Sequence, residues 1–108
     1  MSIKLAEPKI IEKLGESDVN LIDIYQIDGC SIYDHETYGI AFSLIITNLK
    51  TSQSYSLLCN YRERISGRSK FGAFYQHIKS IVCEDWIGFV FRFESWQPKN
   101  RAIIPVKF

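Results

Sequence analysis

Long apolar runs are missing from this chain: the stretches around Leu44 to Ile46 and from Ile87 to Phe91, the latter interrupted by Gly88, extend over only a few residues. A membrane-spanning helix needs about 20. The opening residues carry Glu7, Lys9, Glu12 and Lys13, so they also lack the apolar core of a signal peptide, and a cytoplasmic protein without a membrane partner is expected. Cysteine is scarce and unpatterned. Cys30, Cys59 and Cys83 form no C-x-x-C and have no adjacent histidine pair, which predicts free thiols in a reducing compartment. The motifs of common chemistries are absent as well, with no glycine-rich phosphate loop and no G-x-S-x-G.

What remains for catalysis or metal binding is thin. Asp34-His35-Glu36 places three ligand types in a row, but successive side chains point in different directions and a metal needs ligands that converge, so a solvated polar turn is expected. His77 falls at the edge of an apolar stripe, and Glu84-Asp85 follow a helix where carboxylates face water. No carboxylate pair has a spacing suited to acid and base work. The sequence points away from an enzyme and implies no cofactor and no metal; Cys59 and His77 are the residues a catalytic alternative would use.

The chain does hold enough apolar material for one core. Its 108 residues are 46% hydrophobic and 14% aromatic, which suffices for folding without metal or disulfide but not for two independent cores. A single domain over 1–108 is expected, with 1–17 as an N-terminal extension. Charge is unevenly placed. Residues 1–49 carry three lysines against eight acids, whereas residues 50–108 carry ten Lys and Arg against four acids, a polarity that suits a polyanion or an acidic protein partner.

Periodicity divides the chain into elements. Pro8 and Gly15 bracket a short helix, with an N-terminal strand from Ile3 as its competitor. Val19 to Tyr33 reads as a long first strand kinked at Asp28-Gly29. Ile40, Phe42, Leu44 and Ile46 share one face of a second strand, and Tyr55, Leu57, Cys59 and Tyr61 share one face of a third after the Lys50-Thr51-Ser52-Gln53 connection. A basic loop from Arg62 to Lys70 follows, with Ser66 or Ser69 as a helix cap. The period then changes to that of a helix, because Phe71, Phe74, Tyr75, Ile78, Ile81 and Val82 form a single stripe. Gly72 is its weak position. Trp86 to Trp96 is a fourth strand with Ile87, Phe89, Phe91 and Phe93 on one face. After Gln97 to Asn100, Ala102, Ile104 and Val106 mark a fifth strand that Pro105 confines to an edge or a bulge.

Three meandering strands, one helix and a final hairpin, over roughly residues 19–108, resemble in element order the OB-fold, a small five-stranded Greek-key barrel with its helix between strands three and four. The expected class is therefore α+β, mostly β: an OB-like barrel over 18–108 plus a short N-terminal helix or strand. The resemblance implies a binding surface across strands two and three, bordered by Asp34 to Thr37 and Gln97 to Asn100. It implies a non-catalytic protein that binds single-stranded nucleic acid, DNA before RNA, by stacking bases on aromatic rings while cations follow the phosphates. The candidate stackers are Tyr38, Tyr55, Tyr61, Trp86 and Trp96, with Trp96 expected to be exposed. The candidate phosphate partners are Arg62, Arg64, Arg68, Lys70, Arg92, Lys99 and Arg101. The alternative is a protein-interaction module (an adaptor, an inhibitor, or an assembly subunit such as a mobile element encodes), for which an exposed apolar patch is the diagnostic. Either protein could act as a homo-oligomer.

Overall fold

The computed structural model describes residues 11–37 and 39–107. In chain order these form β1 (Glu12–Lys13), β2 (Ile24–His35), β3 (Gly39–Asn48), β4 (Ser54–Asn60), α1 (Lys70–Ile78), β5 (Val90–Gln97) and β6 (Asn100–Pro105). The strands make one curled half-barrel sheet in the order β1-β4-β3-β2-β5-β6. It has six strands, not the five expected, because Glu12–Lys13 pairs in parallel with Tyr55 and Ser56 of β4. The helix expected over 8–15 therefore does not extend through Glu12–Lys13, and its first residues, like the competing strand from Ile3, lie outside the described residues.

β2 is the strand the sheet is built around. It pairs antiparallel with β3 along almost its whole length and, through Ile24 to Gln26, with β5 on the other side. A bulge falls between Ile27 and Gly29, where Asp28 is the extra, exposed residue. Bulges sharpen the local twist, and here the bend turns the sheet into a trough. Gly29 suits the bend because Ile45 crosses close by: a Cβ at that position would sit 3.4 Å from the Ile45 side chain. The far end of the hairpin is longer than expected, since β2 continues through His35 instead of turning at Asp34. At the other end, Asn48 is buried and its carboxamide oxygen accepts from the backbone N–H groups of Lys50 and Thr51, while its amide nitrogen donates to Asp23 at 2.9 Å.

The trough is filled by aromatic rings. Phe42 meets Trp86 edge-on at 4.9 Å and Phe71 at 5.2 Å, and Phe74 meets Phe91 at 5.0 Å. Trp86 is fully buried and donates its indole N–H to the Ser80 carbonyl at 2.9 Å. This satisfies its one polar group and turns the chain into the core. The strand expected from Trp86 consequently starts only at Val90, after a short 3-10 turn at Cys83–Trp86 and Gly88 at φ +92°.

Helix α1 also ends early. The stripe predicts helix to Val82, but Lys79 adopts the left-handed conformation and its N–H donates to the Tyr75 carbonyl, closing the helix in the manner of a C-cap. Ile81 and Val82 are left 59% and 51% exposed. Cys30 and Cys83 form a disulfide with a Cα separation of 5.6 Å. That corrects the expectation of three free thiols. Spacing along the chain could not reveal the pair, because it arises from the 3-10 turn packing against β2. Among the described residues no helix is long and apolar enough to cross a membrane.

Gly72 is not the weak helix position its propensity suggests. The Ser66 carbonyl lies so close that a Cβ on Gly72 would meet its oxygen at 1.8 Å, so the missing side chain is what lets the preceding loop seat on the helix. Gly72→Ala should lower stability by 1 kcal/mol or more, at about the cost of overpacking, although alanine is intrinsically better in a helix. Urea denaturation of the two proteins checks this, and a gain in the variant would show that the loop yields.

Candidate functional site

The alternation of β4 directs Tyr55, Leu57 and Cys59 into the trough. The chain then leaves the sheet at Tyr61, whose N–H donates to the Ile40 carbonyl at 2.9 Å. The segment 62–69 folds back on the helix through two serines. The Ser69 hydroxyl caps α1 by accepting from the Gly72 N–H at 3.0 Å and donates to the Ser66 carbonyl at 2.8 Å, and the Ser66 hydroxyl accepts from the Arg68 N–H at 3.3 Å. Pinned in this way, the loop walls a cavity of about 400 Å³ between the end of β4, the start of α1 and β6.

Four cations line that cavity: Arg62 and Arg64 from the loop, Lys70 from the first turn of α1, and Arg101 from β6. Among the described residues no carboxylate does. The N-terminus of α1 adds its dipole to the same space. Arg101 is the most constrained member. It is opposite Trp96 in register, with its guanidinium carbon 5.6 Å from the center of the Trp96 ring, within the range of a cation–π contact. Its Nε is buried and has no acceptor among the described residues. A buried donor left unpartnered carries a desolvation cost that an incoming anion would offset.

The other expected site residues are dispersed. Trp86 is 0% exposed, and Trp96 and Tyr55 are buried as well, so none of the three offers a ring face to a base. Trp96 is the clearest correction: it packs against Phe93 at 4.9 Å and Phe74 at 6.0 Å, and the charge beside it in sequence covers it instead of marking it as exposed. Tyr61 is half-buried and edge-on to Phe71 at 5.5 Å. Arg68, Arg92 and Lys99 are exposed, but none of them lines the cavity. Tyr38 lies outside the described residues. Ile65 and Ser66 line the cavity and went unrecognized, because only the fold of the loop brings them there, and Asn60 joins them from the end of β4.

A second depression of about 220 Å³ lies on the outer face of β2, β3 and β4. Asn60 lines both. Among the described residues no group of three or more His, Cys, Asp or Glu could hold a metal ion. Asp34, His35 and Glu36 do not converge, since Asp34 and His35 alternate across β2. His77 is exposed on α1. No family model, curated protein or solved structure matches the chain.

Cys59 lies in the core beneath this site at 0% exposure, and burial pushes its thiol up to about 12 against the opposing pull of Lys70 and Arg101. A thiol held neutral in this way is a poor nucleophile. The sign of its effect on stability follows. Below the ordinary value of 9.0 both states keep the proton; above it the unfolded chain loses the proton while the folded chain retains it, so stability falls as pH rises from 9 toward 12. Measured by denaturation at pH 8 and 10, the wild type should lose stability relative to Cys59→Ala by about 1.4 kcal/mol for each pH unit above 9. Parallel pH profiles would mean that the thiol ionizes in place.

Proposed function

We propose that this protein is a non-catalytic binder of single-stranded nucleic acid that holds phosphate groups in the cavity formed by Arg62, Arg64, Lys70 and Arg101. The observation that carries the proposal is the convergence of these four cations on one concavity with no lining carboxylate among the described residues. A concave site at a sheet edge suits a flexible strand better than a duplex, whose grooves are read by a protruding helix or ribbon. The proposal includes an open OB-like barrel. In its support, β2 pairs with both β3 and β5, β6 pairs with β5, and α1 packs against both β4 and β6 across the gap between them. A cytoplasmic site of action also belongs to it, and there the Cys30–Cys83 pair would spend time as two thiols, since reducing compartments disfavor disulfides.

One observation favors a protein-interaction module instead. Leu21, Ile22 and Leu49 are 52%, 82% and 43% exposed, and Ile22 and Leu49 line a common depression with Ile24. Apolar side chains grouped at the surface are a mark of docking sites.

Fluorescence anisotropy with a labeled single-stranded oligonucleotide at several salt concentrations tests the first reading. Binding should weaken steeply with salt and exceed that of a duplex. In an Arg62→Ala, Arg64→Ala double variant the slope of log affinity against log salt should fall by roughly 0.7 for each phosphate contact removed. No binding at low salt would overturn the proposal and leave the apolar end as the site to pursue.

A further inference from the structure

The depression on the outer face is built from three rungs of the sheet. Tyr33 is opposite Ala41, which is in turn opposite Asn60; His35 is opposite Gly39; and Leu58 closes the remaining side. In an antiparallel sheet, residues directly opposite one another usually cover each other's side chains. Here each ring is opposite a methyl group or no side chain at all. Tyr33 accordingly stays 50% exposed, with the His35 ring 6.0 Å from its own and inclined at 46°. The Thr37 N–H donates to His35 Nδ1 at 3.0 Å, which holds the imidazole beside the tyrosine. Leu58, 45% exposed, is the apolar flank, and Asn60 contributes an amide able both to donate and to accept.

Asn60 is also a wall of the cationic cavity, so an aromatic shelf and a group of four cations meet at one side chain. We infer that the Tyr33 shelf is a nucleobase subsite: an unpaired base stacks on the phenol ring, the Asn60 amide reaches its polar edge, and the attached phosphate lies among Arg62, Arg64, Lys70 and Arg101. This deepens the nucleic-acid reading above and rests on it. It also supplies the ring that the buried tryptophans do not. A duplex keeps its bases stacked on one another, so the shelf admits only a single strand or a frayed end.

The test uses short single-stranded oligonucleotides carrying 2-aminopurine at successive positions, with an abasic oligonucleotide of the same length. Wild-type protein should quench the fluorophore on binding, and the abasic strand should bind more weakly. Tyr33→Ala should lower affinity roughly 10-fold, as the loss of one stacking contact does, and abolish the quench while leaving the salt slope unchanged. Tyr33→Phe and Tyr33→Trp should keep both affinity and quench, which separates stacking from any general loss of folding. If the oligonucleotide binds but Tyr33→Ala and the abasic strand behave as the wild type and the intact strand do, the subsite is overturned and the phosphate cavity stands. If no oligonucleotide binds, both fall together.

Discussion

Phe71 holds the molecule's two layers together. Its ring contacts Phe42 from the sheet, Tyr61 at the point where β4 ends, and Trp86 from the 3-10 turn, all between 5.2 and 5.5 Å. Three segments distant in sequence are thereby fixed about one side chain in the first turn of the helix. The Phe42 and Tyr61 contacts are edge-to-face, and each such pair contributes about 0.5 to 1.5 kcal/mol beyond the area it buries. Because Phe71 also floors the cationic cavity, the contact that seats α1 sets the positions of Lys70 and the Ser66–Ser69 turn. Site and core are continuous, and the same aromatic ring belongs to both.

Four cations around one cavity repel one another, and the fold manages that cost by unequal exposure. Arg62 and Arg64 stand in water, where screening is strong. Lys70 and Arg101 are half-buried, with Arg101 resting on the Trp96 indole. The two half-buried charges favor the Cys59 thiolate, yet burial dominates and keeps the thiol neutral. The site therefore concentrates positive charge with no lining carboxylate among the described residues, a condition that an anionic ligand relieves and an apolar one does not.

The sequence revealed most of the strands, because their alternation is regular: Phe42, Leu44 and Ile46, and Tyr55, Leu57 and Cys59, face inward as the period-two pattern requires. The kink at Asp28-Gly29 and the cap at Ser69 were also legible from local chemistry. Three-dimensional partners were not. Trp86 and Trp96 lie beside charged residues in the chain but face the trough: Trp86 belongs to the 3-10 turn and not to the alternation of β5, and a bulge between Phe93 and Ser95 returns Trp96 to the face of Phe91 and Phe93. The helix stops at Ile78 although Ile81 and Val82 continue its stripe, because Lys79 turns left-handed and the chain must dive back to bury Trp86. Tyr33 was invisible as a site residue for a different reason: its exposure depends on the register that sets it against Ala41, and register belongs to the hairpin, not to either strand alone.

The disulfide has a topological consequence. Cys30 and Cys83 are 53 residues apart, and the covalent ring they close contains β3, β4, the basic loop and α1. Arg62, Arg64 and Arg68 stand exposed on that loop, where they offer a trypsin-like protease three sites. A chain severed there is still one molecule, both pieces tethered through the bridge and each retaining part of the aromatic trough. Only reduction releases them, so in the oxidized protein a break in the loop that carries the arginines is a nick and not a loss.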